Sequence, residues 1–98
     1  MDLIFAELKI EFNGKMKGKN AIKVCRCGDW SCGDKETIEV HFDSYNQGIV
    51  VEPEVGDNIQ VYAYTSGFGF VKSKINYKDV PAIIEKVRKL IEDAVPLT

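Results

Sequence analysis

The C-terminal stretch limits the fold most tightly. Val80, Ile83, Ile84, Val87, Leu90, Ile91 and Ala94 recur at steps of three and four residues, so a helix over 79–95 gathers them on one side. Asp79 stands where an N-cap belongs, Pro81 is tolerated in a first turn, and Pro96 ends the run. Glu85 and Lys89, four residues apart, fall on the wet side. A lone amphipathic helix cannot bury its own stripe and needs an apolar surface from elsewhere. The chain ahead of it supplies one as a succession of segments whose apolar residues alternate.

Residues 3–12 set Ile4, Ala6, Leu8, Ile10 and Phe12 against Glu7, Lys9 and Glu11, which predicts a half-buried strand. Asn13-Gly14 follows as a hairpin turn. Residues 20–27 predict a second strand, with Ile22 and Val24 pointing one way and Lys23, Cys25 and Cys27 the other. Residues 37–43 alternate again, Ile38, Val40 and Phe42 against Glu39, His41 and Asp43. A short strand over Gly48–Val51 ends at Pro53, and Ile59–Tyr64 alternates with Tyr62 and Tyr64 on one face. A last strand reaches Ile75. Strands first and one helix last predict an α+β fold: an antiparallel sheet of five to six strands with one C-terminal helix packed on one face. The expected organisation is a single domain over 1–98, with strands in 3–75 and the helix at 79–95.

At 45% hydrophobic and 29% charged residues the chain reads as globular, not disordered. No apolar run reaches the roughly 18 residues of a membrane span, and Met1-Asp2-Leu3-Ile4 does not start a secretory signal. Three cysteines, two of them separated by one residue, do not suit a disulfide framework, so a cytoplasmic location is expected.

Charge is segregated. Lys15, Lys17, Lys19, Lys23 and Arg26 form a basic run with no acid among them. From Asp29 to Asp57 acids dominate, with Lys35 the sole base. This predicts an acidic face that docks a basic protein partner through Asp29, Trp30, Asp34, Glu39 and Asp43, with Tyr62 and Tyr64 as aromatic contacts. With a net charge of −2, nucleic acid is not the expected partner.

All three cysteines and the only tryptophan lie in Cys25-Arg-Cys-Gly-Asp-Trp-Ser-Cys32. Cys25, Cys27, Cys32 and His41 offer thiolate sulfur and imidazole nitrogen, the donors zinc prefers in a tetrahedral site. If strands 20–27 and 37–43 pair as a hairpin, Cys25, Cys27 and His41 share the face away from the aliphatic residues. The spacing Cys-x-Cys-x4-Cys-x8-His differs from common zinc patterns, and three packed thiols are the competing reading, so the sequence demands no cofactor. No phosphate loop, HExxH or Gly-x-Ser-x-Gly occurs, and one histidine completes no catalytic constellation, so the chain is not expected to be an enzyme.

Two motifs carry resemblances. Ser66-Gly-Phe-Gly-Phe-Val-Lys-Ser73 resembles the first RNA-binding octamer of RNA-recognition and cold-shock domains, and Val40-His41-Phe42 resembles the second cold-shock motif. That likeness implies Phe68, Phe70 and His41 as base-stacking positions, but the octamer lacks its leading base and final aromatic, and the motif order is reversed. The Cys-x-Cys-Gly-x3-Cys-Gly run resembles a pattern in small uncharacterised bacterial proteins. In size, acidity and class the chain is also similar to toxin-immunity and small inhibitor proteins. That likeness implies a non-catalytic protein that binds a toxin or effector. The alternative is a small zinc module with a nucleic-acid or regulatory role.

Overall fold

A computed structural model describes residues 1–26, 37–43, 47–65 and 73–93, without the side chains of Asp43, Gln47, Tyr64 and Thr65. Helix α1 (Asp2–Phe12) comes first. A small ribbon, β1 (Met16–Lys17) and β2 (Asn20–Ala21), follows it. Five strands come next: β3 (Lys23–Arg26), β4 (Ile38–Asp43), β5 (Gln47–Pro53), β6 (Asn58–Thr65) and β7 (Ser73–Asn76). Helix α2 (Val80–Asp93) closes the order. The five strands form one antiparallel sheet in the order β3-β4-β5-β6-β7, a simple meander. The class is α+β, with the C-terminal helix on one face as the sequence predicts.

The first segment corrects the sequence reading: residues 2–12 are a helix, not a strand. Positions 4, 8 and 12 belong to the even-numbered alternation, yet they also lie on one face of a helix. Ile4, Leu8 and Phe12 are buried there, with Met1 and Phe5 packed alongside, while Ala6 and Ile10 face water. Helix-favouring Ala6-Glu7-Leu8-Lys9 agrees with this outcome. Asn13 is then a helix C-cap, its N–H donating to the Lys9 carbonyl at 3.1 Å. Its side-chain Oδ1 accepts from the Val24 N–H at 3.0 Å, which ties the end of α1 to the edge strand β3. Gly14 (φ +87°) turns the chain into the ribbon in a conformation that penalises a Cβ.

The predicted strand over 20–27 is broken at Ile22 into β2 and β3, where the Ile22 backbone bonds Gly14 and Lys15 instead of the five-stranded sheet, and Cys27 lies outside the described residues. β5 runs through Pro53, further than the sequence suggested. Helix α2 fits its prediction. The Ala82 N–H reaches Asp79 Oδ1 at 3.3 Å, and Ile83, Val87 and Ile91 are buried. Glu85 pairs with Arg88, not Lys89, and Arg88 also reaches Glu11 of α1 at 3.1 Å.

Both helices pack on the same face of the sheet. Ile4, Leu8 and Phe12 of α1 and Ile83, Val87 and Ile91 of α2 share one core with Val24, Val40, Ile49, Val51 and Val61. Among the described residues no helix covers the opposite face. None of the described helices is long and apolar enough to cross a membrane.

Candidate functional site

Strand alternation builds the site. In β3 and β4 the core takes Val24, Ile38, Val40 and Phe42, so Lys23, Cys25, Glu39 and His41 belong to the helix-free face. Register then sets their spacing. Cys25 lies directly opposite Glu39, and Lys23 opposite His41. Continuing across the sheet, Glu39 pairs with Val50 and Val50 with Tyr62, a single row over four strands. The next row runs Lys23, His41, Gly48 and Tyr64, so β5 places no side chain beside the imidazole. A register shift between His41 and Asp43 follows at once, a bulge of the kind that re-aims side chains.

One donor atom from each of Cys25, Glu39 and His41 lies within 4.8 Å of the others. Cys25 is 6% exposed. The side chains of His41 and Glu39 are 15% and 22% exposed. His41 Nε2 sits 3.2 Å from Glu39 Oε2, and the Cys25 thiol donates to the Glu39 carbonyl at 3.8 Å. Metal–donor lengths of about 2.0–2.3 Å imply donor–donor edges of roughly 3.5 Å in a tetrahedron. The imidazole–carboxylate separation of 3.2 Å is close to that length, and no donor pair is farther apart than 4.8 Å. Charge also fits: one thiolate, one carboxylate and a neutral imidazole balance a dication, which offsets the cost of desolvating two anions.

Further along the face, Tyr62 donates to the Glu52 carboxylate. Burial pushes its phenol pKa up, and the charge and hydrogen bond of Glu52, with the charge of Glu39, add to the shift. Carboxylates therefore crowd this part of the sheet.

The structure thus brings together two of the four sequence-predicted ligands, Cys25 and His41. Cys27 and Cys32 lie outside the described residues. Glu39 is the donor that sequence reasoning assigned elsewhere, to the docking surface. Its place two residues from His41, on the same face of an alternating strand, is the sequence signal for it, and the register opposite Cys25 is seen in the structure. Of the other expected docking residues, Asp29, Trp30 and Asp34 lie outside the described residues, as do the side chains of Asp43 and Tyr64. Tyr62 is half-buried. The octamer-like Ser66–Ser73 is described only at Ser73.

The chain matches no family model, no curated protein and no solved structure.

Proposed function

We propose that this protein is a small metal-binding module that takes a divalent ion of the zinc class through Cys25, Glu39 and His41. The observation that carries the reading is the convergence of those three donors within 4.8 Å on a face that neither helix uses. A mixed sulfur, nitrogen and oxygen set suits borderline-soft ions such as Zn²⁺ over Mg²⁺ or Ca²⁺, which prefer oxygen alone. The role is non-catalytic. An ion held here fastens the four-residue edge strand β3 to β4, so occupancy governs how firmly that edge is held. Elemental analysis of protein purified without added zinc tests this. About one ion per chain, lost together in Cys25→Ser and His41→Ala, supports it; a ratio near zero that added Zn²⁺ does not raise removes it.

A second reading, a recognition module that docks a toxin or effector, draws on a different observation. Helix α1 presents Leu3 and Ile10 to solvent, 63% and 74% exposed, beside Ala6. Apolar side chains aligned on one exposed helix flank suit a protein partner. Changing Leu3 and Ile10 together to Lys should abolish capture of a partner encoded beside this gene. Undiminished capture would end this reading without touching the metal site.

A further inference from the structure

Of the basic run, Lys23 lies opposite His41 on the face of the metal site, while Lys15, Lys17 and Lys19 lie outside it. Those three fall on and beside the β1–β2 ribbon, which forms a two-stranded sheet of its own. Met16 pairs with Ala21 and Lys17 with Asn20, so Gly18-Lys19 forms a two-residue loop, with Gly18 at φ +61°. The root is fastened by Gly14 N–H to the Ile22 carbonyl at 2.8 Å and Ile22 N–H to the Lys15 carbonyl at 2.7 Å. Ile22 itself is buried in the core. The ribbon is therefore a fixed platform.

Lys15 and Lys19 on it are exposed and Lys17 partly so. Among the described residues none of these three ammonium groups makes an ion pair, a side-chain hydrogen bond or a ring contact. No acid occurs between Glu11 and Asp29. Three cations on one pre-formed ribbon, unpaired among the described residues, make a local positive field that the chain's net charge of −2 conceals. Screening confines such fields to about 8 Å at physiological salt, so an acid farther away than that does not cancel it.

From this we infer that the β1–β2 ribbon binds the phosphate backbone of duplex nucleic acid through Lys15, Lys17 and Lys19. Lysine serves phosphate as a point charge. A two-stranded ribbon is one of the two elements that fit a major groove about 12 Å wide. A protein partner fits less well, because interfaces are depleted in Lys and anchored by aromatics, and residues 13–23 contain no aromatic. Contacts of this kind position without reading bases, so binding is indifferent to sequence.

The test is fluorescence anisotropy with a labelled mixed-sequence DNA duplex between 50 and 200 mM salt, comparing the natural chain with Lys15→Gln/Lys17→Gln/Lys19→Gln. Each phosphate contact contributes about 0.9 to the slope of log affinity against log salt, so the variant's slope should be shallower by about 2.7. The affinity ratio between the two proteins then shrinks about 40-fold across that salt range. A single reversal, Lys19→Glu, should weaken binding with an unchanged melting temperature. Absence of duplex binding at 50 mM salt, equal slopes for the two proteins, or lysine-dependent binding to phosphatidylserine vesicles but not to DNA would each overturn the inference. The ribbon shares no residue with the metal donors, so loss of metal binding and loss of duplex binding are separate outcomes.

Discussion

Leu8 and Ile10 separate the helix from the strand at the N-terminus. In an alternating strand they share a face and both are buried. In α1 Leu8 is 0% exposed and Ile10 is 74% exposed. Leu8→Ala removes three carbons from the core, about 2.4 kcal/mol at roughly 0.8 per carbon. The cavity left between α1 and the sheet raises the cost to about 3–5 kcal/mol. Ile10→Ala gives up only about a quarter of that transfer term, roughly 0.6 kcal/mol, and recovers a few tenths because alanine is the better helix former. Its net effect is close to zero. For a chain of this size each kcal/mol moves the melting temperature by about 4–8 °C, so Leu8→Ala should fall by about 12 °C or more, or fail to fold. Ile10→Ala should stay within about 3 °C. Thermal unfolding followed by circular dichroism decides between them. Comparable losses for the two variants would refute the helical assignment and the shared core built on it.

Three further outcomes follow from local chemistry. The hydrogen bond from Arg26 to Asp2 (2.7 Å), and then the Arg26 charge, hold the Asp2 carboxyl below its ordinary value, so this contribution to stability is present above about pH 4 and is lost as pH falls through the lowered pKa. Arg26→Gln should return the Asp2 titration, followed by NMR, to the ordinary carboxylate range; an unmoved titration contradicts the pairing. The raised Tyr62 pKa has the opposite sign, with stability intact below about pH 10 and declining as pH climbs through the folded value. Glu52→Gln should lower the alkaline midpoint of tyrosine absorbance, and no shift would remove Glu52 as a cause. Gly56 sits at φ +78° with open space where a Cβ would lie, so Gly56→Ala should cost about 1–2 kcal/mol through backbone strain alone. Gly56→Asn should cost less, and equal losses would point to a cause other than strain.

Much of this fold was legible. Helix α2 carried a three-and-four stripe with a cap before it and a proline after it, signals that agree with one another. Strand β4 alternates from Ile38 to Phe42, which fixes the faces of Glu39 and His41. The N-terminal segment is ambiguous in sequence because a run of apolar residues at 4, 6, 8, 10 and 12 contains the helical subset 4, 8 and 12. Leu3 and Phe5, apolar at odd positions, were the sign that the alternation was false. Phe5 lies against the core, with Lys9 and Arg26 each 5.3 Å from its ring. At the site, alternation together with an assumed hairpin between the two strands puts Cys25 and His41 on one face. Glu39 reads from sequence as docking surface because an acid in an acidic stretch reads as solvated. Only the pairing register, which no local pattern specifies, sets it opposite a cysteine.

The central claim is that Cys25, Glu39 and His41 form one coordination site. Titration of metal-free protein with Co²⁺, followed by optical spectroscopy, tests it most directly, because a thiolate-to-cobalt band that Cys25→Ser removes reports Cys25 while the ligand-field bands report coordination number. Saturation near one equivalent is predicted, with four-coordinate bands that are lost in His41→Ala and altered in Glu39→Gln. At a free ion concentration 100 times Kd, binding should add about 2.7 kcal/mol of stability, a melting shift of roughly 10–20 °C. No thiolate band, no saturation and an unmoved melting temperature would contradict it.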